Sequence, residues 1–226
     1  MIDVKDVCKS YHSKKGVTYP ALNGVTMQVR EGQLTALVGV SGAGKSTLLH
    51  ILACIENYDR GSVQVDGMEL KYCKDEEQAQ YRNEKIGIVL QNFALLPDFS
   101  VFENIALPLH FSHKKISRKT AREKVEAVAE TVGILPLLNK SISEISGGEK
   151  QRVAIARALV NTPAYIFADE PTGALDSANT QTIVQVFRDI SKTGVGVLIA
   201  THDPLVSQQC DAVWKIRDGQ ITEITP

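Results

Sequence analysis

The sequence GVSGAGKST at positions 39–47 constrains the fold more than any other part of this chain. It matches the spacing G-x-x-x-x-G-K-[ST], in which the glycines let consecutive backbone N–H groups converge on phosphate oxygens. An apolar run at 34–38 precedes the loop, and an apolar helical pattern at 46–55 follows it. A strand that leads through such a loop into a helix is typical of α/β proteins that bind phosphate at a helix N-terminus.

Two side chains of this loop have predicted roles beyond those of the backbone. Lys45 has the position of a lysine that reaches the β- and γ-phosphates, and the Ser46 hydroxyl has that of a Mg²⁺ ligand. A chance match to this spacing is expected in about one chain in a hundred of this length. The loop therefore predicts a site for a nucleoside triphosphate and Mg²⁺. The candidate nucleotide-binding residues of the loop are Gly39, Ser41, Gly42, Ala43, Gly44, Lys45, Ser46 and Thr47.

Strand and helix patterns alternate along the rest of the sequence. Strand patterns occur at 2–8, 25–30, 34–38, 62–66, 86–90, 164–168, 195–200 and 213–217, and helical patterns occur at 46–55 and 177–191. This order predicts βα units and a largely parallel sheet. From about 75 to 160 the chain is mostly helical and polar, which indicates a helical block inserted into that sheet.

Acidic and imidazole side chains follow two of the apolar strands. Asp169 and Glu170 come directly after the run at 164–168, and His202 comes shortly after the run at 195–200. The carboxyl ends of parallel strands meet at one edge of a sheet, and the phosphate loop follows a strand at the same edge. We therefore expect Asp169 to hold hydrated Mg²⁺, Glu170 to polarise the attacking water, and His202 to lie beside them.

Composition and charge exclude several classes of function. The net charge is −1, from 25 basic and 26 acidic residues, so there is no overall electrostatic case for binding nucleic acid. No apolar run approaches the about 20 residues that span a bilayer, and the amino terminus lacks the pattern of a signal peptide. The four cysteines form no C-x-x-C pair, which favours reduced thiols in the cytosol. We expect any action on a membrane to come from outside the lipid.

A basic cluster covers positions 114–119 and continues at Arg122 and Lys124. One interpretation is a solvated loop that leads into a helix. The other is contact with anionic headgroups or an acidic partner, since each charge near a membrane surface contributes about 1 kcal/mol. The sequence leaves both interpretations open.

The segment ISGGEKQRVAIARAL at 145–159 resembles the signature motif of the ATP-binding cassette (ABC) ATPases. Its serine and glycines open a long amphipathic helix, so that a hydroxyl, N–H groups and the helix dipole can face an anion. The signature residues are Ser146, Gly147, Gly148 and Glu149, of which Glu149 stands where the family commonly has glutamine. By the same resemblance, Gln91 is similar to the Q-loop glutamine, Asp176 to the D-loop aspartate, His202 to the switch histidine and Tyr11 to the aromatic residue that stacks on adenine.

The resemblance implies an α/β fold of the P-loop NTPase class, with a RecA-like core, a mainly parallel sheet, an antiparallel β portion and an inserted helical subdomain. Residues 1–226 would form a single ABC ATPase domain, with the core at about 1–90 and 160–226 and the helical subdomain at about 91–159. The resemblance further implies Mg²⁺-dependent ATP hydrolysis in a homodimer. Each ATP would lie between the phosphate loop of one copy and the signature of its partner, and Asp176 would communicate across the interface. The implied catalytic residues are Glu170, His202, Gln91 and Lys45, and the implied metal ligands are Ser46, Gln91 and, through water, Asp169.

The resemblance also implies a partner and a location. The phrases LLP at 95–97, ENIALPL at 103–109 and ADEPTGALDS at 168–177 are most similar to the branch that serves macrolide efflux, lipoprotein release and antimicrobial-peptide export or resistance. Members of that branch energise a separately encoded permease, and the apolar stretches at 91–99 and 102–109 would take up its coupling helices. The chain would then be a peripheral ATPase at the cytoplasmic face of a bacterial-type membrane, exporting or extracting a peptide, lipoprotein or antibiotic.

Two other functions stay open. One is an ABC protein of translation or DNA repair, although those usually carry two cassettes in one chain or long coiled-coil insertions. The other is a regulatory module that uses ATP to dimerise without useful turnover. The intact carboxylates and histidine argue against the second alternative.

Overall fold

Two β-sheets and the helices around them form the described part of the chain, which comprises residues 1–13, 16–113 and 115–224 of a computed structural model. The strands are β1 (Ile2–His12), β2 (Thr18–Val29), β3 (Leu34–Val38), β4 (Arg60–Val65), β5 (Met68–Glu69), β6 (Ile86–Val89), β7 (Tyr165–Asp169), β8 (Gly196–Thr201), β9 (Ala212–Arg217) and β10 (Gln220–Ile224). The α-helices are α1 (Lys45–Leu52), α2 (Asp75–Lys85), α3 (Val101–Ala106), α4 (Arg118–Thr131), α5 (Gly147–Leu159), α6 (Ser177–Lys192) and α7 (Pro204–Ser207). Short 3₁₀ helices cover Leu70–Tyr72, Leu107–Phe111, Leu135–Leu137 and Ile142–Glu144.

The larger sheet has the strand order β10-β9-β3-β8-β7-β6. Strands β9, β3, β8, β7 and β6 pair in parallel, and β10 pairs antiparallel with β9 at one edge. All residues of β8 and all but the last of β7 are buried, as expected for parallel strands that helices cover on both faces. Because β3, β6, β7 and β8 run in one direction, the segments that follow them meet at one edge of the sheet.

The smaller sheet is antiparallel and has the order β2-β1-β4-β5. Its strand β1 pairs with both β2 and β4, so that Ile2 lies opposite Val29 and Val65. Buried side chains of this sheet share one core with α1 and with one face of the larger sheet, for example Leu48 and Leu198. The two kinds of sheet confirm the predicted α/β class with an antiparallel β portion.

A second core lies on the other face of the larger sheet. It contains buried side chains from α3, α4, α5 and α6, such as Ile105, Val125, Ile155 and Phe187. Helices α3, α4 and α5 lie between β6 and β7 in the sequence, as an insertion into the sheet. The helical block predicted from about 75 to 160 is not continuous, because strand β6 lies within it. None of the helices in the described residues is long and apolar enough to cross a bilayer.

Two elements near the phosphate loop differ from their predicted extents. Helix α1 ends at Leu52, whereas its apolar pattern continues to residue 55, because Cys54 has a φ of 53° that no helix accommodates. Strand β2 begins at Thr18, well before the predicted start at 25. This longer strand brings Tyr19 and its neighbours to the edge of the sheet where the site lies.

The basic cluster lies before and within the first turns of α4. Lys114 is outside the described residues, while Lys115, Arg118 and Lys119 are exposed. Arg122 pairs with Glu126 at 2.8 Å, one turn further along the helix. Exposed pairs of this kind contribute little to stability and are typical of a solvated helix start.

Candidate nucleotide-binding site

A cavity of about 710 Å³ lies at the carboxyl ends of the parallel strands. It brings together most of the predicted site residues, namely Tyr11, Ser41, Gly42, Gly44, Lys45, Ser46, Thr47, Gln91, Asp169, Glu170 and His202. Tyr19, Pro20, Ala21 and Val40 also line it. The predicted residues Gly39 and Ala43 do not line the cavity, and neither do the signature residues or Asp176.

The phosphate loop wraps around the ammonium group of Lys45. This buried group donates to the carbonyl oxygens of Gly39, at 2.8 Å, and Val40, at 3.3 Å. Gly44 precedes the helix with a φ of 107°, and a Cβ there would lie 2.5 Å from the Ala21 carbonyl oxygen. A side chain at position 44 would therefore push the loop away from β2, which explains the glycine at this position.

Glu170 lines the cavity and has two cationic or ionisable neighbours. Its Oε1 is 3.4 Å from Lys45 Nζ, and its Oε2 is 3.0 Å from His202 Nδ1. The backbone of Glu170 has a φ of 46°, a conformation that L-residues rarely adopt and that turns the chain sharply after β7. The carboxylate is thus held in the cavity by both its backbone and its neighbours, as expected for a group that must be positioned.

Asp169 presents a buried carboxylate oxygen with no partner. Its Oδ1 makes no hydrogen bond in the described residues, which is unusual because a buried polar atom without a partner destabilises the fold. Carboxylate and hydroxyl oxygens are the ligands that Mg²⁺ prefers, and Ser46 lines the same cavity. The donor set therefore fits a divalent cation bound beside a phosphate.

Tyr11 lines the cavity and is held there by Thr47 of the loop and by Glu56, which the sequence analysis did not identify. Its hydroxyl donates to Glu56 Oε2 at 2.6 Å and lies 3.3 Å from Thr47 Oγ1. Lys9 Nζ lies 3.3 Å from Glu56 and 5.4 Å from the centre of the Tyr11 ring. Burial and the bond to Glu56 raise the pKa of Tyr11. Tyr11 is about 41% exposed, so part of it is accessible to a flat ligand in the cavity.

The signature residues form a capped helix start. Ser146 is the N-cap of α5, and its backbone N–H and hydroxyl donate to Glu149 Oε2 at 2.7 and 2.8 Å. These bonds lower the pKa of Glu149. A Cβ on Gly148 would lie 2.6 Å from Asn179 Oδ1, so the signature packs closely against the start of α6.

Asp176 has a local structural role within one copy of the chain. It is the N-cap of α6, and its side chain accepts from the backbone N–H of Asn179 at 2.8 Å. Hydrogen bonds from Asn179 lower the pKa of Asp176. Like Ser146 and Gly147, it is exposed and lies outside the cavity.

Residues 22–173 match the family model described as ABC transporter. The chain belongs to the ABC transporter family, and it is an ATP-hydrolysing cassette of that family. It is similar over its whole length to a solved structure of a dimeric bacterial ABC transporter cassette, MJ0796, with a TM-score of 0.90 and 34% identity, each chain being covered completely. The same cassette bound to ADP and Pi gives a TM-score of 0.89 and 33% identity, again with full coverage of both chains. The predicted family, fold class and ATPase activity are confirmed.

Relatives with assigned roles cover almost all of this chain. The macrolide export ATP-binding/permease protein MacB of Syntrophobacter fumaroxidans is 40% identical over 98% of the chain, which spans 31% of that relative. The bacitracin export ATP-binding protein BceA of Halalkalibacterium halodurans is 39% identical over 98% of the chain and 87% of the relative. The lipoprotein-releasing system ATP-binding protein LolD of Aquifex aeolicus is 36% identical over 97% of the chain and 98% of the relative. The predicted resemblance to this branch of the family is confirmed.

Proposed function

We propose that this chain hydrolyses Mg·ATP between two copies of itself and thereby energises a separate membrane permease. The observation that carries the proposal is the cluster of Lys45, Glu170 and His202 beside the unpartnered oxygen of Asp169. This cluster offers a cation for the phosphates, a carboxylate for the attacking water and an open ligand position.

Each residue of the cluster has a separate task in this proposal. Lys45 binds the β- and γ-phosphates, and the backbone N–H groups of residues 41–47 bind their oxygens. Glu170 accepts a proton from the attacking water, while His202 orients that carboxylate through Nδ1 and contacts the γ-phosphate. Ser46 and Asp169, the latter through water, together with Gln91 would hold Mg²⁺, which neutralises charge on the phosphates when bound.

The homodimer is supported by the location of the signature. Ser146 and Gly147 are exposed outside the cavity of their own copy, at the N-terminus of a long helix. A partner related by a two-fold axis can place these residues, with Gly148 and Glu149, over the ATP of the first copy. Because ATP would then contact both copies, it stabilises the pair, and loss of the γ-phosphate weakens it. The solved cassette at 34% identity is dimeric, which supports a pair of copies as the active form.

An apolar groove of about 500 Å³ is the proposed contact for the permease. It lies between α2, β6 and the 3₁₀ helix Leu107–Phe111, and two large apolar side chains at its rim, Ile55 and Phe111, are 52% and 68% exposed. Exposed apolar side chains around a groove suit a short amphipathic helix of a partner. Part of the predicted docking stretch, Leu107 and Pro108, lines this groove.

The relatives support a proposal for the cargo class and the location. Their printed roles concern macrolides, bacitracin and lipoproteins. We infer a peptide, lipoprotein or antibiotic as cargo and a peripheral position at the cytoplasmic face of a bacterial-type membrane. We propose residues about 1–90 and 160–226 as the nucleotide-binding core and about 91–159 as the helical subdomain, and both contribute residues to the groove for the permease.

Reconstitution with the permease that co-purifies with this chain from membranes tests this proposal. ATPase activity in proteoliposomes is expected to rise several-fold over that of the chain alone. Phe111→Asp should abolish that rise and leave the basal rate unchanged, because burying a charge in the groove is unfavourable. Tyr72→Asp, at an aromatic side chain that is 84% exposed and does not line the groove, serves as the matched control. An equal rate with and without the permease would contradict the proposal.

Removal of the Tyr11 ring is expected to weaken ATP binding. Stacking of a base on an aromatic ring contributes about 1–3 kcal/mol, so Tyr11→Ala should raise the Kd for ATP by about 5- to 150-fold. Tyr11→Phe keeps the ring and loses the hydroxyl with its contacts to Glu56 and Thr47, so its effect should be smaller. Equilibrium titration with ATP measures both variants, and titration with tripolyphosphate, which has no base, is the control. Equal losses for ATP and tripolyphosphate would exclude stacking.

A further inference from the structure

Arg157 in α5 donates two hydrogen bonds to the segment that follows Gln91. Its Nη2 lies 2.7 Å from the carbonyl oxygen of Phe93, and its Nη1 lies 2.5 Å from that of Ala94. Burial lowers the pKa of this guanidinium, and among residues 1–13, 16–113 and 115–224 no carboxylate forms an ion pair with it. Peptide carbonyls, rather than an acidic side chain, therefore compensate the charge.

The two carbonyls belong to residues with an unfavourable backbone conformation. Phe93 has a φ of 60° and Ala94 a φ of 46°, so two consecutive residues with a Cβ lie in the left-handed region. Such residues occur singly in most proteins, because the Cβ crowds the following carbonyl oxygen. A guanidinium is a rigid planar fork, so it can bind two neighbouring acceptors at once. The fork of Arg157 thus holds a backbone conformation that this segment does not favour by itself.

This segment connects the groove with the nucleotide cavity. Arg157 lines the apolar groove, whereas Gln91, two residues before Phe93, lines the cavity. A Cβ on Gly173 would lie 3.8 Å from Gln91 Nε2, so the Gln91 amide lies close to the turn that follows Glu170. A displacement of the backbone at 93–94 would therefore move the Gln91 amide relative to Glu170.

We propose that Arg157 is a positioning residue for Gln91, acting through the carbonyl groups of Phe93 and Ala94. Arg157 does not line the nucleotide cavity, and its effect is on the place of the Gln91 amide beside Glu170. The inference rests on the proposed role of Gln91 in hydrolysis. It predicts that the fork geometry of the side chain, and not its charge alone, is required for turnover.

Arg157→Lys keeps the charge and removes the fork, and it is the first test. Misplacement of a reacting group by about 1 Å can cost about 100-fold in rate, so kcat is expected to fall by about 10- to 100-fold. The Kd for ATP without Mg²⁺ should stay within about twofold of wild type, because the phosphate loop is untouched. Arg188→Lys is the matched control, since Arg188 also donates to a backbone carbonyl, that of Gln209, but lies outside the cavity and the groove. Its kcat should not change.

A double variant separates positioning from general loss of structure. Because both substitutions affect the same group, Gln91→Ala with Arg157→Lys should have the kcat of Gln91→Ala alone. Three results would each overturn the inference. The double variant could lose kcat by the product of the two single losses, Arg157→Lys could keep the wild-type kcat, or Arg157→Lys could lose ATP affinity as much as kcat. If Arg157→Lys does not fold, because a lysine ammonium is strongly hydrated, Arg157→Gln is the neutral replacement. Combined with Gln91→Ala, it should again have the kcat of Gln91→Ala alone. Failure of the proposed role of Gln91 is distinct, because it appears as an unchanged kcat for Gln91→Ala alone.

Discussion

Glu170→Gln is expected to abolish multiple-turnover ATP hydrolysis and to leave ATP bound between two copies of the chain. The amide keeps the size of the side chain but cannot accept the proton of the attacking water, and loss of a general base costs about 100- to 10,000-fold in rate. Phosphate release measures the turnover. Light scattering with ATP and Mg²⁺ measures the dimer, which should be longer-lived than that of the wild type.

Glu130→Gln provides the matched control, since this carboxylate lies on the exposed surface of α4. It should release phosphate at the wild-type rate. Undiminished turnover in Glu170→Gln would show that another group activates the water. A chain that stays monomeric with ATP at all concentrations would contradict the proposed site between two copies.

Lys45→Met is expected to remove most of the affinity for ATP. Methionine keeps an unbranched stem in the loop but has no charge to bind the phosphates, and it also leaves Glu170 without its cation at 3.4 Å. Hydrogen bonds to charged groups contribute about 1.5–3 kcal/mol, so the Kd for ATP should rise by about 10- to 150-fold. Equilibrium titration in the absence of Mg²⁺ measures this loss without turnover.

Lys192→Met is the control for the loss of a positive charge, because Lys192 pairs with Asp189 on the exposed end of α6. Its ATP affinity should equal that of the wild type. An unchanged affinity in Lys45→Met would mean that the backbone of the loop binds the phosphates without the lysine. The role of Lys45 would then be confined to the transition state.

The parts of the site that sequence analysis could predict are those formed by short segments. The phosphate loop carries its spacing within nine positions, and parallel strands bring Asp169, Glu170 and His202 to its side. Sheet topology therefore decides where these residues lie, and alternation of strands and helices is enough to predict a parallel sheet whose strand ends meet at one edge.

The parts that could not be predicted depend on contacts between distant segments. Glu56 meets Tyr11 across 45 positions, and Arg157 meets Ala94 across 63. No local pattern indicates either pair, because packing of the whole fold determines which side chains face each other. Helix α1 also ends earlier than predicted, because an apolar stretch of sequence does not indicate the positive φ of Cys54.

The backbone conformation at Glu170 places the stability of the chain in conflict with its rate of ATP hydrolysis. Its left-handed φ of 46° is one that glycine or asparagine adopts more readily, by about 1 kcal/mol for glycine. Selection of variants for heat resistance alone would thus enrich small or amide side chains at this position, and every such survivor would be a poor ATPase. Variant libraries designed to stabilise this cassette should therefore keep Glu170 unchanged and vary residues of the antiparallel sheet instead.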